Sequence, residues 1–283
     1  MNFGSMRLKK GEKSMNEKLK AAVYGFAVGD ALGVPFEFKQ RGTFKCKGMI
    51  GFGTWNQEPG TWSDDTSMVL ATCDSIRKRG GIDLNEIMCS FVRWKYLDRY
   101  TAHNDVFDVG ETTDMAIRAF AEGGKPIAEC GLRGEWSNGN GSLMRILPLA
   151  FVPDVSWTDV ANVSGLTHAH AKSVAVCCEF VHICKKLLQN PHFPIPDRIA
   201  RMKRKDVSSS GYVVTTLEAA LWCFGTSRSY KEAVLKAVNL GGDTDTIAAL
   251  TGALAALKWG YDAIPQQWID TLANKKLIDS CLF

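Results

Sequence analysis

The sequence lacks the features that mark secreted, membrane-spanning and nucleic-acid-binding proteins. No apolar run reaches the ~18–20 residues of a membrane span, and the Lys-rich N-terminus is followed by no apolar stretch of the signal-peptide type. The 34 Lys and Arg nearly balance the 30 Asp and Glu, which leaves a net charge of +4 over 283 residues. We therefore expect a cytoplasmic protein that binds neither nucleic acid nor a membrane.

Paired cysteines are also missing. The nine Cys are an odd number, and no two of them form a C-x-x-C pair. This pattern argues against a disulfide scaffold and against a zinc site, so we expect small buried thiols in a reducing compartment. The composition is otherwise ordinary, with 46% hydrophobic and 23% charged residues, which excludes a disordered or collagen-like chain.

Alternating strand patterns are absent, whereas apolar residues recur at helical spacing along most of the chain. The segments with this spacing are 19–27, 68–76, 87–96, 115–120, 174–188, 217–224, 230–238 and 247–257. Residues 39–60 and 190–212 are predicted to be loops, the second with one short helix. The pattern predicts a single all-α domain over residues 15–283, after a disordered leader of residues 1–14; a division near residue 190 is the alternative.

Two predicted helices begin with clustered acidic residues. The first start reads T-W-S-D-D-T-S (61–67), and the second reads G-G-D-T-D-T (241–246). Helix capping explains one or two such residues, because a Ser or Asp at a helix start accepts hydrogen bonds from free backbone N–H groups. It does not explain two hydroxyls around two adjacent carboxylates. Oxygen ligands of this kind suit hard divalent cations.

The second start opens an apolar helix rich in Ala and Leu, so Asp243 and Asp245 are expected near the core. Buried carboxylates need a proton, a partner or a metal, and no Lys or Arg follows them before Leu257. We therefore hypothesise that the two acidic starts converge on one oxygen-rich site for one or two Mg²⁺ or Mn²⁺ ions.

Three further segments carry polar residues in unusual settings. The glycine-rich segment 136–145 is either an ordinary turn or a loop that offers backbone N–H groups to phosphates. Gly25, Gly29 and Gly33 lie on one helix face, which predicts a close helix–helix contact, and leave Asp30 and Glu37 unexplained. The T-H-A-H segment 167–170 favours a histidine that makes hydrogen bonds or contacts substrate over a metal ligand, since no third His or Cys completes a set.

Six motifs occur in a fixed order between residues 17 and 270. They are G-D-A-L-G with a following Glu (29–33 and Glu37), W-S-D-D-T (62–66), F-D-V-G-x-T (107–112), N-G-x-G-S-L-M-R (138–145), T-H (167–168) and G-G-D-T-D-T (241–246). In this set and order the sequence resembles the ADP-ribosylglycohydrolase family. Six ordered motifs are far more specific than any one of them.

The resemblance implies a compact, single-domain all-α fold around a binuclear centre of two Mg²⁺ or Mn²⁺ ions. The positions that match metal ligands are Ser63, Asp64, Asp65, Asp243, Asp245 and Thr246. Many members carry Thr where this chain has Ser63, and the hydroxyl is retained. The positions that match substrate-binding residues are Glu37, Asp108, Gly110, Ser137, Gly139, Asn140, Gly141, Ser142, Leu143, Met144 and His168.

The resemblance also assigns expected roles within that set. The loop around the diphosphate and ribose is matched by Ser137, Gly139, Asn140, Gly141 and Ser142. His168 matches a residue on the ribose or phosphate side. Glu37 matches an acidic residue that gates the site in some members. Asp108 and Gly110 match the segment beside the distal ribose, where a carboxylate would meet an arginine guanidinium.

The implied activity is metal-dependent hydrolysis of the glycosidic bond between ADP-ribose and a protein side chain, with arginine favoured. Asp64, Asp65 and Asp245 are the candidates for the general base that deprotonates the attacking water. ADP-ribosyl-serine and O-acetyl-ADP-ribose are alternative substrates, and a non-enzymatic member of the fold is a further alternative. A haloacid-dehalogenase-type phosphohydrolase is disfavoured, since its D-x-D-x-T motif should end an early strand. We expect a monomer.

Overall fold

Helices account for the fold of residues 10–283, the part of the chain that this computed structural model describes. The helices are α1 (Lys10–Gly33), α2 (Asp64–Arg79), α3 (Leu84–Leu97), α4 (Glu111–Ala121), α5 (Ile127–Cys130), α6 (Trp157–Gly165), α7 (Ala171–Gln189), α8 (Asp197–Ala200), α9 (Val213–Gly225), α10 (Tyr230–Val238), α11 (Thr244–Trp259), α12 (Gln266–Thr271) and α13 (Lys275–Cys281). Short 3-10 helices cover Val34–Phe36, Asn140–Ser142, Leu147–Phe151, Arg204–Asp206 and Tyr261–Ala263.

Only isolated β-bridges, and no strands, occur within these described residues. The predicted all-α class is therefore confirmed. The predicted leader lies partly outside the described residues, which begin at position 10. Because α1 already begins at Lys10, its start differs from the predicted domain boundary at residue 15.

The centre of the fold is the contact between α1 and α11. The two helices approach so closely that a Cβ on Gly29 would lie 2.1 Å from the carbonyl oxygen of Ala248, and one on Gly25 would lie 2.5 Å from that of Gly252. The predicted close helix contact of the glycine stripe is thus confirmed. At its end, a Cβ on Gly33 would lie 2.3 Å from the Cα of Asp245, so that this contact brings the end of α1 against an acidic helix start.

A single buried apolar cluster surrounds this pair and includes residues on both sides of position 190. Helix α11 is buried on all sides as far as Ala256, and α1, α2, α7, α9 and α10 all pack against it. The nine Cys are unpaired, and all but Cys89 are buried. None of the described helices combines the length and the apolar character that crossing a membrane requires.

Local capping explains several helix starts. The side chain of Asp83 accepts a hydrogen bond from the Glu86 backbone N–H at the start of α3, and Ser229 does the same for Glu232 in α10. Helix α2 ends at Gly80, whose φ of 68° lies in the left-handed region. These signals act over three or four residues, and the helices they bound agree with the predicted segments.

The long loop between Phe36 and Ser63 is fixed to the second predicted loop by Arg41. Its Nε donates to the carbonyl oxygen of Leu240 at 2.7 Å, and its Nη2 donates to that of Val207 at 2.6 Å. The backbone N–H of Phe38 donates to the carbonyl oxygen of Gly242 at 2.7 Å. These bonds hold the residues that follow α1 against the residues that precede α11.

Candidate active site

The starts of α2 and α11 meet beside the end of α1. The hydroxyl of Thr246 donates to Asp65 Oδ1 at 3.3 Å, which joins the two helices directly. Two clusters of carboxylates form there, one of Asp30, Asp65 and Asp245 and one of Glu37, Asp243 and Asp245, and within each the oxygens lie within 4.8 Å of one another. Asp245 belongs to both clusters, so the two potential cation sites are adjacent.

Capping accounts for one of the two acidic starts but not for the other. Ser63 is the N-cap of α2, and its Oγ accepts a hydrogen bond from the Asp65 backbone N–H at 3.3 Å. Asp243 occupies the N-cap position of α11 without any side-chain capping bond. Its Oδ2 accepts a hydrogen bond from the side-chain amide of Asn140 at 2.6 Å instead. The Asp243 carboxylate is therefore held by a residue of the glycine-rich segment.

Asp30, which the sequence analysis left unexplained, fixes the start of α2 from outside that helix. Its carboxylate accepts hydrogen bonds from the backbone N–H groups of Ser63 and Thr66 at 3.0 Å each, and from the Thr66 hydroxyl at 2.6 Å. These are N–H groups that a helix leaves without intrahelical partners. Asp30 is fully buried, and its role here is to hold the segment that carries Asp64 and Asp65.

Burial and mutual repulsion raise the pKa values of the clustered carboxylates. Burial, followed by the charges of neighbouring carboxylates, raises the pKa of Asp64, Asp65 and Asp245 well above its usual range. The pKa of Glu37 rises to about 9, mainly by burial and then by the charge of Asp108. These carboxylates can all be charged together only when cations accompany them; without cations, some of them take up protons.

The donor set fits hard divalent cations. Asp65 Oδ2 and Asp243 Oδ1 are buried and have no hydrogen-bond partner among the described residues. Neither Lys nor Arg belongs to the cavity wall as far as the structure describes it. A buried carboxylate oxygen without a proton donor is a costly arrangement, which an oxygen-seeking cation such as Mg²⁺ or Mn²⁺ would relieve.

The cavity above the clusters has a volume of about 200 Å³. Its wall includes most of the residues predicted to bind substrate, namely Glu37, Asp108, Gly110, Gly139, Asn140, Gly141, Met144 and His168, together with the predicted metal ligands Asp64, Asp243 and Thr246. Asp65 and Asp245 lie beneath it, each 1% exposed.

Three predicted substrate-binding residues do not present their side chains to this wall. Leu143 is fully buried in the apolar core. The hydroxyl of Ser142 is buried and bonds to Ser164 at 3.0 Å and to the Cys177 thiol at 3.3 Å. Ser137 is buried in the turn that precedes the glycine-rich loop. The side chains of these residues therefore support the loop instead of lining the cavity.

The aromatic side chain of Trp55 contacts Glu37 at one side of the cavity. The indole N–H of Trp55 donates a hydrogen bond to the Glu37 carboxylate. The Trp55 ring lies 5.6 Å from the ring of Phe107 and 6.2 Å from that of Phe38, centroid to centroid. Phe38 is 68% exposed. The Trp55 hydrogen bond thus holds the predicted gating residue in place.

Several residues of the cavity wall were not predicted. Glu111, Thr113 and Trp136 line the cavity, and Trp136 is 99% exposed although it is the largest type of apolar side chain. Glu111 and Thr113 lie on either side of Thr112, the last residue of the F-D-V-G-x-T motif. Their position beside this motif was the one indication in the sequence that they would line the cavity. For Trp55, which lies in a loop without periodicity, the sequence offered none.

The helical fold and the oxygen-rich cavity define an all-α protein with a site suited to divalent cations. Comparison with known proteins gives the family. The ADP-ribosylglycohydrolase family profile matches residues 12–282. The ADP-ribosylarginine hydrolase Tri1 of Serratia proteamaculans (strain 568) is 32% identical over 95% of this chain and 79% of its own length.

Two further relatives agree with this. The ADP-ribosyl-[dinitrogen reductase] glycohydrolase of Rhodospirillum rubrum is 30% identical over 93% of this chain and 92% of its own length. A solved ADP-ribosylglycohydrolase-related protein complex contains a chain that is 29% identical, with a TM-score of 0.78, over 95% of this chain and 97% of that one. The protein belongs to the ADP-ribosylglycohydrolase family, and the predicted class of enzyme, a glycosidic-bond hydrolase, is confirmed.

Proposed function

We propose that the protein removes ADP-ribose from arginine side chains of proteins in a reaction that depends on two divalent cations. The observation that carries the proposal is the pair of carboxylate clusters that share Asp245 beneath an open cavity. The relatives from Serratia and Rhodospirillum, which are named for the hydrolysis of ADP-ribosyl groups, support it.

Six residues would hold the cations, Mg²⁺ or Mn²⁺: Ser63, Asp64, Asp65, Asp243, Asp245 and Thr246. When bound, the ions would cancel the charge of the clusters and supply the Lewis acidity that lowers the pKa of water and orients ribose hydroxyls. Asp30 and Asn140 hold the ligand-bearing segments in place through the hydrogen bonds described above.

Hydrolysis exchanges the bond between C1 of the distal ribose and the guanidinium nitrogen for a bond between C1 and a water oxygen. Of the three candidate bases, only Asp64 lies on the cavity wall, whereas Asp65 and Asp245 lie beneath it. We assign the removal of the water proton to Asp64. The leaving guanidine takes up a proton, which we assign to Glu37, a carboxyl on the cavity wall whose burial raises its pKa.

The remaining wall would bind the rest of the substrate. Gly139, Asn140 and Gly141 line the cavity, and a Cβ on Gly141 would lie 2.8 Å from the His168 ring. The absence of a side chain at Gly141 therefore lets the His168 ring pack against the loop, and we assign this loop and ring to the diphosphate. Asp108 also lies on the wall, and we assign it to pair with the arginine guanidinium.

The direct test is release of ADP-ribose from ADP-ribosyl-arginine by the purified protein with Mg²⁺ or Mn²⁺, with EDTA as the metal-free arm. We expect release that EDTA stops and that added metal restores. Asp245→Asn is expected to abolish release, while Asp154→Asn, at an exposed position, serves as the matched control. Cleavage of ADP-ribosyl-serine or O-acetyl-ADP-ribose with no action on ADP-ribosyl-arginine would contradict the substrate assignment.

A further inference from the structure

Arg145, the last residue of the glycine-rich motif, is fully buried without a carboxylate partner among the described residues. Its Nη1 donates to the carbonyl oxygen of Val163 at 3.1 Å, and its guanidinium carbon lies 4.6 Å from the Phe91 ring centroid. Its Nε has no hydrogen-bond partner in the described structure. Burying a charge in this way is costly, and packing alone does not account for it.

The Nη2 atom of Arg145 is connected to the cavity through hydrogen bonds. It donates to the hydroxyl oxygen of Thr167 at 2.8 Å. The same hydroxyl lies 2.7 Å from Nδ1 of the next residue, His168. His168 lines the cavity at Gly139 and Gly141. A chain of hydrogen bonds therefore connects a permanent donor in the core to the imidazole at the predicted phosphate loop.

The direction of each hydrogen bond in this chain follows from which groups can donate and which can accept. Arg145 only donates, so Thr167 Oγ1 is an acceptor toward it. Thr167 is fully buried, and Arg145 and His168 are the partners of its hydroxyl within the described residues. If His168 Nδ1 carried a proton, the Thr167 hydroxyl hydrogen would have no acceptor, and a buried unsatisfied donor costs about 1–3 kcal/mol.

His168 is also held neutral. Burial, and then the charge of Arg145, lowers its pKa to about 3. A neutral imidazole carries one proton, and with Nδ1 accepting from Thr167 that proton resides on Nε2. A Cβ built on Gly139 would lie 3.8 Å from Nε2, and one on Gly141 would lie 3.3 Å from it. The Nε2–H group thus lies beside two glycines that line the cavity.

We propose that Thr167, oriented by Arg145, is a positioning residue that fixes His168 in its Nε2–H tautomer, so that the imidazole donates a hydrogen bond to a phosphate or ribose oxygen in the cavity. The part of this inference that concerns substrate rests on the proposed function. The tautomer itself does not, because the protein alone determines it.

The first test is the tautomer of His168 in the full-length protein without substrate. Selective ¹⁵N labelling of the five His, with assignment by a His168→Gln variant, allows Nδ1 and Nε2 to be distinguished by NMR. We expect an unprotonated Nδ1 and a protonated Nε2 throughout pH 5–8. A proton on Nδ1, or a ring that titrates in this range, would overturn the proposal whether or not the protein hydrolyses ADP-ribosyl-arginine.

The second test uses Thr167→Val, which removes the hydroxyl at nearly constant volume, and Thr167→Ser, which retains it. We expect the valine variant to lose the single tautomer and to show a KM for ADP-ribosyl-arginine about 10-fold higher with kcat little changed, which corresponds to 1.4 kcal/mol of uniform binding. The serine variant should restore both properties.

Thr72→Val is the matched control, because Thr72 is equally buried and bonds only to the Met68 carbonyl oxygen one turn earlier in α2. It should leave the tautomer and KM unchanged. If Thr167→Val does not fold, the wild-type spectrum and the serine variant still decide the matter. A valine variant with a wild-type tautomer and KM would refute the positioning role.

Discussion

The side-chain amide of Asn140 donates a hydrogen bond of 2.6 Å to Asp243 Oδ2, across 103 positions of sequence. The same amide also bonds to the Thr216 hydroxyl at 3.2 Å. One residue of the glycine-rich loop therefore orients one carboxylate of the cation clusters. The glycine-rich loop and the proposed metal ligands are parts of a single polar network, and a change in either is expected to affect the other.

Asn140→Ala should weaken Mn²⁺ binding about 10-fold. The alanine leaves Asp243 Oδ2 without its donor, and a hydrogen bond to a charged group contributes about 1.5–3 kcal/mol, part of which the bound cation would recover. Isothermal titration with Mn²⁺ measures the change, with the exposed Asn162→Ala as the matched control. Equal Mn²⁺ affinity in the two variants would show that this hydrogen bond does not orient a ligand.

Asp65→Asn should abolish hydrolysis and yet raise the melting temperature of the metal-free protein. Asp65 Oδ2 has no hydrogen-bond partner among the described residues, and burial followed by the charges of neighbouring carboxylates raises the pKa of Asp65, so the amide removes a source of repulsion. A gain of 1 kcal/mol corresponds to about 2–4 °C in a chain of this size class. Thermal unfolding in EDTA and an activity assay with metal test the two halves. An active variant would remove Asp65 from the proposed site.

Mg²⁺ or Mn²⁺ should stabilise the protein by several degrees against thermal unfolding. A ligand that binds only the folded state at 100 times its Kd adds about 2.7 kcal/mol to the free energy of unfolding. The shift should be largely lost in Asp245→Asn, since Asp245 belongs to both clusters. Differential scanning fluorimetry at rising metal concentration measures it. A shift of equal size in this variant would place the bound cation elsewhere.

Gly29→Ala should prevent stable folding or lower the free energy of unfolding by about 3 kcal/mol or more, the upper end of overpacking costs. The added Cβ would lie 2.1 Å from a backbone oxygen of α11, which has no room to move. Gly165→Ala is the matched control, because its Cβ would meet only the Ala169 side chain, at 3.9 Å. Urea unfolding compares the two, and equal stability would contradict the close contact of α1 with α11.

Asp74→Asn should destabilise the protein at neutral pH but not at low pH. Burial opposes the charge of Asp74, but hydrogen bonds from Lys78, Tyr100 and Arg77 outweigh it and lower its pKa. A carboxylate whose pKa is lowered in the folded state contributes stability above its unfolded pKa, and that contribution disappears as the pH falls through the folded value.

The expected loss for Asp74→Asn at pH 7 is about 1–2 kcal/mol, because both basic partners are nearly half exposed. Urea unfolding between pH 7 and pH 3 should show a difference between variant and wild type that is constant near neutral pH and becomes smaller as the pH falls below about 4. Asp154→Asn, at an exposed position, is the control. A difference of equal size at pH 7 and pH 3 would mean that packing, not charge, is responsible.

Helix boundaries and the central helix contact were predictable because their causes are local or repeat along one face. Ser63 and Asp83 cap the helices that follow them, as their positions before apolar periodic segments indicate. Gly25 and Gly29 predict a close approach through their spacing alone. Both inferences need only a few consecutive residues and the geometry of the α-helix.

The residue types at the two acidic helix starts indicated an oxygen-rich site, but most of the other residues of the cavity wall were predictable only through the family resemblance. Nothing near Asn140 in sequence indicates a bond to Asp243, and a Trp55 in a loop without periodicity does not suggest contact with Glu37. Helix capping and metal binding also use the same residue types. The two roles of Asp243 could therefore be told apart only by its hydrogen bond from Asn140, which the fold brings about. Long-range hydrogen bonds of this kind leave no local pattern.

The contact of α1 with α11 also determines when, during synthesis of the chain, the carboxylate clusters can form. The two helices that frame the carboxylate clusters are separated by more than 200 residues of chain, so the contact that joins them is among the most non-local in the molecule. Non-local contacts form late, after the entropy of a long closed loop has been overcome. A nascent chain that still lacks α11 therefore carries Asp64 and Asp65 without Asp243 and Asp245, and neither carboxylate cluster can form until α11 has been translated.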